Sequence, residues 1–511
     1  MQDHRPVQPL WRRLQSEDLF QLRLITEAQI SPDGTRVCFV QKVFVPEENK
    51  YRSHLWIVPA MGGNAEPFTT GDQLDYAPDW SPDGRWIAFL STRSSGSVQI
   101  WIITTDGGEA LKVTSFKGIS GRPVWAPDRR WIAFTILLNE KGIEPEEEKP
   151  QTLSPRERFT ADIRRITTLP FKENGVGFIG EKFEQVAVID LQTKTGLRVL
   201  TNGRLNHSDP TWSPDGRHLA FSMSEWRAVG APDPNRMFVG DIGLVPAGGG
   251  PVRKLTKSLG PAYRPAFSPD GKTIAYIGHD SKYGGYTQPL VWAVSTLGGD
   301  PRNVTAGFDR PFEDQSITDL IKNPEPSPPI WTPDGSAVYY LASDSGMSHL
   351  VRVEMRTGKV LPVTAGQRVI YNFSISRDTR RAALCHSDPV IPNDVFLLNL
   401  GGTKARESRL TEVNREFLAA VKLSAPESYT ARSGEVTVEG WILRPPGTNP
   451  PGKTPAVLEV HGGPMVMYRY RFFFEFQFTC RSRDYSGVLE PPWEHGLWPG
   501  LHCRHPGRLG Q

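Results

Sequence analysis

Cysteine is scarce in this chain of 511 residues. The four present (Cys38, Cys385, Cys480 and Cys503) are too few and too scattered for a disulfide framework or a zinc site. Cys38 and Cys385 fall inside strand-like runs, where a buried, reduced thiol is expected. A charge excess of either sign is also missing: 59 Lys and Arg against 56 Asp and Glu leave a net +3. That argues against a nucleic-acid partner, which needs a clustered basic face. No stretch approaches the roughly 18 apolar residues of a membrane span, so no membrane partner is expected. The first residues, Met1 to Gln15, carry Arg5, Arg12 and Arg13 with no apolar stretch behind them. This is not the pattern of a secretory signal, and the compartment it points to is the cytoplasm. Nothing in the sequence calls for a cofactor or a metal.

What the chain does have is enough apolar (38%) and aromatic (10%) material for real cores, with 48 Gly and 45 Pro that recur at turns. A turn motif Ser/Ala/Thr-Pro-Asp-Gly, followed by an apolar run, repeats down the sequence. Intact copies begin at Ser31, Ser81, Ser213, Ser268 and Thr332; Ala126-Pro127-Asp128 lacks the Gly, and Ser376-Arg377-Asp378 is a worn seventh copy. Pro presets φ at the first turn position, Asp can bond the backbone ahead of it, and Gly takes φ > 0. The turn aspartates are therefore read as turn formers and not as ligands. Several units add a second strand and a Gly turn, as in Leu55-Trp56-Ile57-Val58 before Gly62-Gly63.

Most copies start about 45 to 65 residues apart, the length of a four-stranded propeller blade. The third interval is longer and contains a charged stretch from Glu140 to Arg165, read as a solvated surface insertion. The pattern predicts an N-terminal segment over 1–20 and an all-β, seven-bladed β-propeller over 21–416.

Near Phe417 the character changes. Val436–Leu443 alternates like a half-buried strand, a Pro/Gly loop follows, and Ala456-Val457-Leu458-Glu459-Val460 runs into His461-Gly462-Gly463-Pro464. A strand ending in His-Gly-Gly suits backbone N–H groups that face a reacting carbonyl oxygen, as in an oxyanion hole. A plain tight turn is the other reading of the same four residues.

The segment Ser16-Glu17-Asp18-Leu19 before the first turn, the repeated blades, and HGGP followed by Tyr468-Arg469-Tyr470-Arg471-Phe472-Phe473-Phe474 together resemble the acylaminoacyl-peptidase branch of the prolyl oligopeptidase family of serine peptidases, over residues 16 to 477. The resemblance implies a propeller capping an α/β-hydrolase domain, a Ser-Asp-His triad with the Ser in GxSxG, and short peptides or acyl-peptides as substrates. It assigns Gly462 and Gly463 to the oxyanion hole and gives His461 a structural role. The sequence departs from the family where catalysis should lie. No GxSxG occurs, and Gly118-Ile119-Ser120-Gly121-Arg122 lacks the final Gly. Without nucleophile and base, an oxyanion hole has nothing to stabilise. The fold expected is thus a seven-bladed β-propeller followed by the first strands of a truncated α/β-hydrolase domain over 417–477.

From Phe478 to Gln511 the chain loses periodicity and turns rich in Arg, His, Pro and Trp. Read one base later, the codon pairs of Trp493-Glu494 and Trp498-Pro499 force Gly. With permitted wobble, Ser486 through Pro499 can encode Val-Val-Tyr-Leu-Asn-Pro-Arg-Gly-Ser-Thr-Gly-Tyr-Gly-Gln, which resembles the family's continuation after HGGP. Residues 478–511 are therefore read as an out-of-frame tail behind a frameshift just after Gln477. In that case the aromatic run Phe472–Phe476 should lie bare. The part from Phe417 on should then be poorly soluble and open to self-association, while the propeller folds by itself.

Three functions follow: a serine peptidase by family that is inactive in this form, a propeller used as a binding module, or one half of a split peptidase. A TolB-like periplasmic propeller fits less well, since it would need an export signal.

Overall fold

The computed structural model describes residues 11–94, 97–139, 142–146, 154–160, 163, 166, 171–173, 177–178, 182–193, 196–224, 239–321, 326–402, 405–434, 436–446, 455–462, 466–480 and 485–489. The chain divides into two compact units. One comprises Met1–Thr70, Thr305–Ser327 and Ala337–Gln511, the other Gly71–Val304 and Pro328–Ser336.

Among its described residues the second unit contains four antiparallel sheets of four strands each, in sequence order, over 75–112, 119–199, 206–254 and 262–303, and a two-stranded one, Lys172–Glu173 with Gly177–Phe178. The SPDG turn joins the first and second strands of each four-stranded sheet. In every copy that begins with Ser or Thr the hydroxyl donates to the Asp two residues on, as from Ser81 to Asp83 and from Thr332 to Asp334, both at 2.6 Å. The Asp in turn accepts the backbone N–H two residues ahead. These bonds close the turn with its own side chains, so the aspartates are turn formers, as the sequence predicts. The fourth turn position is left-handed throughout: Gly84, Gly216, Gly271 and Gly335 sit at φ 69–71°, and Arg129 occupies the same position at φ 63°.

Successive sheets in this unit are joined by the residue just before the turn. Trp125 Nε1 donates to Asp79 O, Trp212 Nε1 to Val124 O, and Trp331 Nε1 to Ala266 O, all at 3.0–3.1 Å. Trp125 and Trp212 are buried and Trp331 half-buried, and the one donor of each indole finds a carbonyl, which is what a large amphipathic ring needs to enter a core.

The first unit repeats the scheme. Leu24–Ile30, Arg36–Val45, Lys50–Pro59 and Glu66–Pro67 form one sheet. Ala337–Asp344, Met347–Glu354 and Val360–Pro362 form an antiparallel group, linked by one parallel bridge (Ser348 to Val369) to Val369–Ile375, Arg381–Asp388, Ile391–Asn399 and Arg406–Arg409. Many small, mostly antiparallel sheets of this kind make a β-propeller-like fold. Cys38 and Cys385 are fully buried free thiols in these sheets, as expected.

The charged stretch 140–165 interrupts the sheet at 119–199, between Trp131–Leu138 and Phe183–Asp190. Its described parts include a short helix, Pro155–Thr160, with Phe159 86% exposed. Glu146 is tied to a different sheet, the one at 75–112, by Ser97 and Lys112. Among the described residues no helix is long and apolar enough to cross a membrane.

The aromatic run corrects an expectation. Phe472, Phe473, Phe474 and Phe476 are 1–7% exposed, not bare. Phe472 and Phe474 share a core with Leu14, Leu22, Leu24 and Phe417, while Phe473 and Phe476 pack with Trp441 and Tyr470. The partners come from distant stretches of the same unit, which local composition does not disclose.

Candidate functional site

The last sheet holds Glu427–Ser433, Val436–Leu443, Tyr485–Leu489 and Ala456–Val460 in that spatial order. The first two strands form a hairpin around Gly434 (φ 63°). Tyr485–Leu489 runs antiparallel to Val436–Leu443 and parallel to Ala456–Val460. This central strand lies within the segment read as out of frame, and the helix Phe474–Thr479 crosses Gln477. Ala456–Val460 is the edge strand, with Val457, Leu458 and Val460 exposed by 40, 60 and 56%.

The edge strand delivers His461, which is buried, and Gly462, which is exposed. Gly463 lies outside the described residues. The His461 Nδ1–H donates to the Gly462 carbonyl at 3.0 Å, and its ring meets Tyr468 edge-on (5.2 Å, 88°). Burial lowers the His461 pKa, against the opposing pull of the bond to Gly462. The Cα of Gly462 has open space beside it, since a Cβ there would touch nothing within 4 Å.

Downstream of the turn, residues 467–480 are bound by several stretches of their own unit. Met467 pairs with the chain at Gln315–Ile317 through bonds of 3.1 Å in both directions. Arg469 Nη1 donates to Met347 O at 2.7 Å, and the Tyr470 N–H to Gly346 O at 2.9 Å. Ser345 and Gly346 form the two-residue turn between Ala337–Asp344 and Met347–Glu354, both with φ > 0 (48° and 72°). Gly is required there twice over, because a Cβ would also lie 2.5 Å from the Trp441 ring. Arg471 is buried: it donates to Ser316 Oγ at 2.8 Å, lies 3.6 Å from Asp314, and stacks on Tyr371. Gln477 bonds the backbone of Ser424 in both directions and that of Pro389, each at 2.8 Å.

Sequence reasoning named Gly462 but none of these anchoring groups. Tyr468 and Arg471 stood in the quoted run after HGGP, while Asp314, Ser316 and Gly346 carried no signal. Ser120, of the near-miss motif, lies within the strand Ile119–Trp125, with its Oγ at 3.4–3.5 Å from Glu184 and Thr135 O. It is a strand residue and not a nucleophile on a sharp strand-to-helix turn.

No family model matches the chain. The sequence is 29% identical over 487 residues to a Bacillus subtilis protein described as the uncharacterized peptidase YuxL, covering 94% of this chain and 71% of that one. It is 28% identical over 501 residues to dipeptidyl-peptidase 5 of Porphyromonas gingivalis, covering 94% and 67%. In fold it is similar to the acylaminoacyl peptidase of Pyrococcus horikoshii, with a TM-score of 0.74 at 19% identity over 96% of this chain and 69% of that one. A puromycin hydrolase structure gives a TM-score of 0.64 at 13% identity over 96% and 70%. The fold is β-propeller-like, and the relatives named here are described as peptidases. The chain is related to the peptidases of the prolyl oligopeptidase family.

Proposed function

We propose that this chain is a seven-bladed propeller with the opening strands of an α/β-hydrolase domain, from a cytoplasmic serine peptidase that hydrolyses short peptides or acyl-peptides. Gly462 and Gly463 are the oxyanion donors in this reading. The 511 residues contain no GxSxG, so the chain by itself is catalytically inactive. The observation that carries the reading is the parallel-paired strand Ala456–Val460 running into a buried His461 and an exposed Gly462, on a chain whose relatives are peptidases. The nucleotide sequence across the codons for Gln477–Gln511 tests it. A one-base correction that opens a frame through GxSxG, Asp and His supports the reading; a shifted frame that meets a stop sinks it.

The bare edge of Ala456–Val460 favours a second reading, a split peptidase. A strand paired in parallel to its neighbour is normally covered on both faces, and here three of its apolar residues are open. A separate polypeptide carrying the triad would cover them. Self-association of this chain would use the same edge. Mixing the chain with such a downstream product and assaying peptide hydrolysis separates the two readings.

A further inference from the structure

The edge strand does not itself fix the turn it delivers. Four of its five residues are exposed, and the next buried group along the chain is His461. Tyr468, seven residues on, packs against that ring. Tyr468 meets His461 edge-on at 5.2 Å, and its other contacts are Phe473 (5.2 Å, 90°) and Phe476 (5.0 Å, 80°), which stack on each other at 4.5 Å. The backbone on both sides of Tyr468 is tied down, at Met467 by Gln315–Ile317 and at Arg469 by Met347. A ring so placed is a fixed wall and not a mobile surface side chain.

The consequence runs back through His461. Its Nδ1–H holds the Gly462 carbonyl, and a peptide unit is planar. The bond closes a ring that contains the peptide unit between His461 and Gly462, and so holds the orientation of the Gly462 N–H. We infer that Tyr468 is the positioning residue of the oxyanion turn, acting through the His461 ring on the Gly462 N–H. The inference rests on the oxyanion reading given above. Preorganisation of this kind matters because an oxyanion donor a fraction of an ångström out of place loses most of its effect.

The test is nuclear magnetic resonance on the full chain with isotope-labelled histidine, the His461 signal being assigned by its loss in His461→Gln. In the unsubstituted chain a single Nδ1–H tautomer should persist, with a nuclear Overhauser contact to the Tyr468 ring. Tyr468→Phe should preserve tautomer and titration midpoint. Tyr468→Leu should mix the tautomers and move the midpoint up towards that of an ordinary histidine. A Leu variant that is folded by circular dichroism yet keeps the single tautomer and midpoint overturns the inference. If Tyr468→Leu does not fold, the Overhauser contact decides, and its absence in the unsubstituted chain overturns it. None of these readouts needs hydrolysis, so a failure of the peptidase reading is seen separately, as no turnover by a frame-restored chain.

Discussion

Asp319 caps the helix that begins at Phe474. Its carboxylate accepts the backbone N–H of Phe474 at 3.2 Å and of Glu475 at 2.8 Å, across 155 residues of sequence. The helix has no cap of its own, because Phe473 at the N-cap position offers no acceptor. A loop of one stretch thus completes a helix of another, and Leu320 and Ile321 beside it pack on the core containing Phe472 and Phe474.

Replacing Asp319 should therefore act like the loss of a local cap. Asp319→Ala is expected to cost about 1 kcal/mol, and Asp319→Asn, which keeps an acceptor, less than half of that. Urea denaturation followed by tryptophan fluorescence measures both. Equal losses would mean that the charge, and not the acceptor, is what matters.

Arg471→Met should be the more damaging change. It leaves Asp314, whose side chain is 4% exposed, without the guanidinium beside it. Breaking a buried charge pair from one side costs about 3 kcal/mol. A double variant that also replaces Asp314 by Asn should recover part of the loss, and the same denaturation series reads it.

A chain ended at Glu416 should be less stable and less soluble than the full chain. It loses Phe417, Phe472 and Phe474, leaving Leu14, Leu22 and Leu24 uncovered. Each buried Phe contributes about 2 kcal/mol. Soluble yield and melting temperature of the two chains decide this, and a shorter chain that melts higher would show the core to be dispensable.

The turns should set the acid limit. Partial burial opposes ionisation of Asp83, but bonds from Ser81, Arg129 and the Arg85 N–H outweigh it and hold the pKa at about 2. Bonds from Thr332 and Ser336 hold Asp334 at about 2 as well. A folded-state pKa below the unfolded value of about 3.9 means that stability is in place above pH 4 and is lost as pH falls towards 2. Melting temperature should drop through that window, with a shallower drop in Asp83→Asn. In the worn copy, Thr379 sits at φ 53° where five other copies have Gly. Thr379→Gly should then stabilise by up to about 1 kcal/mol, since a β-branched residue is strained there.

The turns were legible because their chemistry is local: four residues carry the proline, the acceptor and the left-handed position. The copies without Gly obey the same geometry at Arg129 and Thr379. Strand irregularities were not legible. Ala77, Asp209 and Arg264 each precede a proline, where extended backbone is the rule, yet they stand at φ 52–56° beside register shifts in the first strands of their sheets. The indole bonds of Trp125, Trp212 and Trp331 and the burial of Phe472–Phe476 were hidden for a related reason: each depends on a partner supplied by a distant stretch. At the site, Gly462 could be named from its motif, whereas Tyr468 and Asp319 matter only through where the fold puts them.

The central claim is peptidase descent with the catalytic groups missing from these 511 residues. Its most direct test is an assay of acyl-peptide and dipeptidyl substrates with two purified chains: this one, and one whose gene has a single base restored after the Gln477 codon. The account predicts no turnover by the first and serine-inhibitor-sensitive turnover by the second. Hydrolysis by the 511-residue chain alone would contradict it.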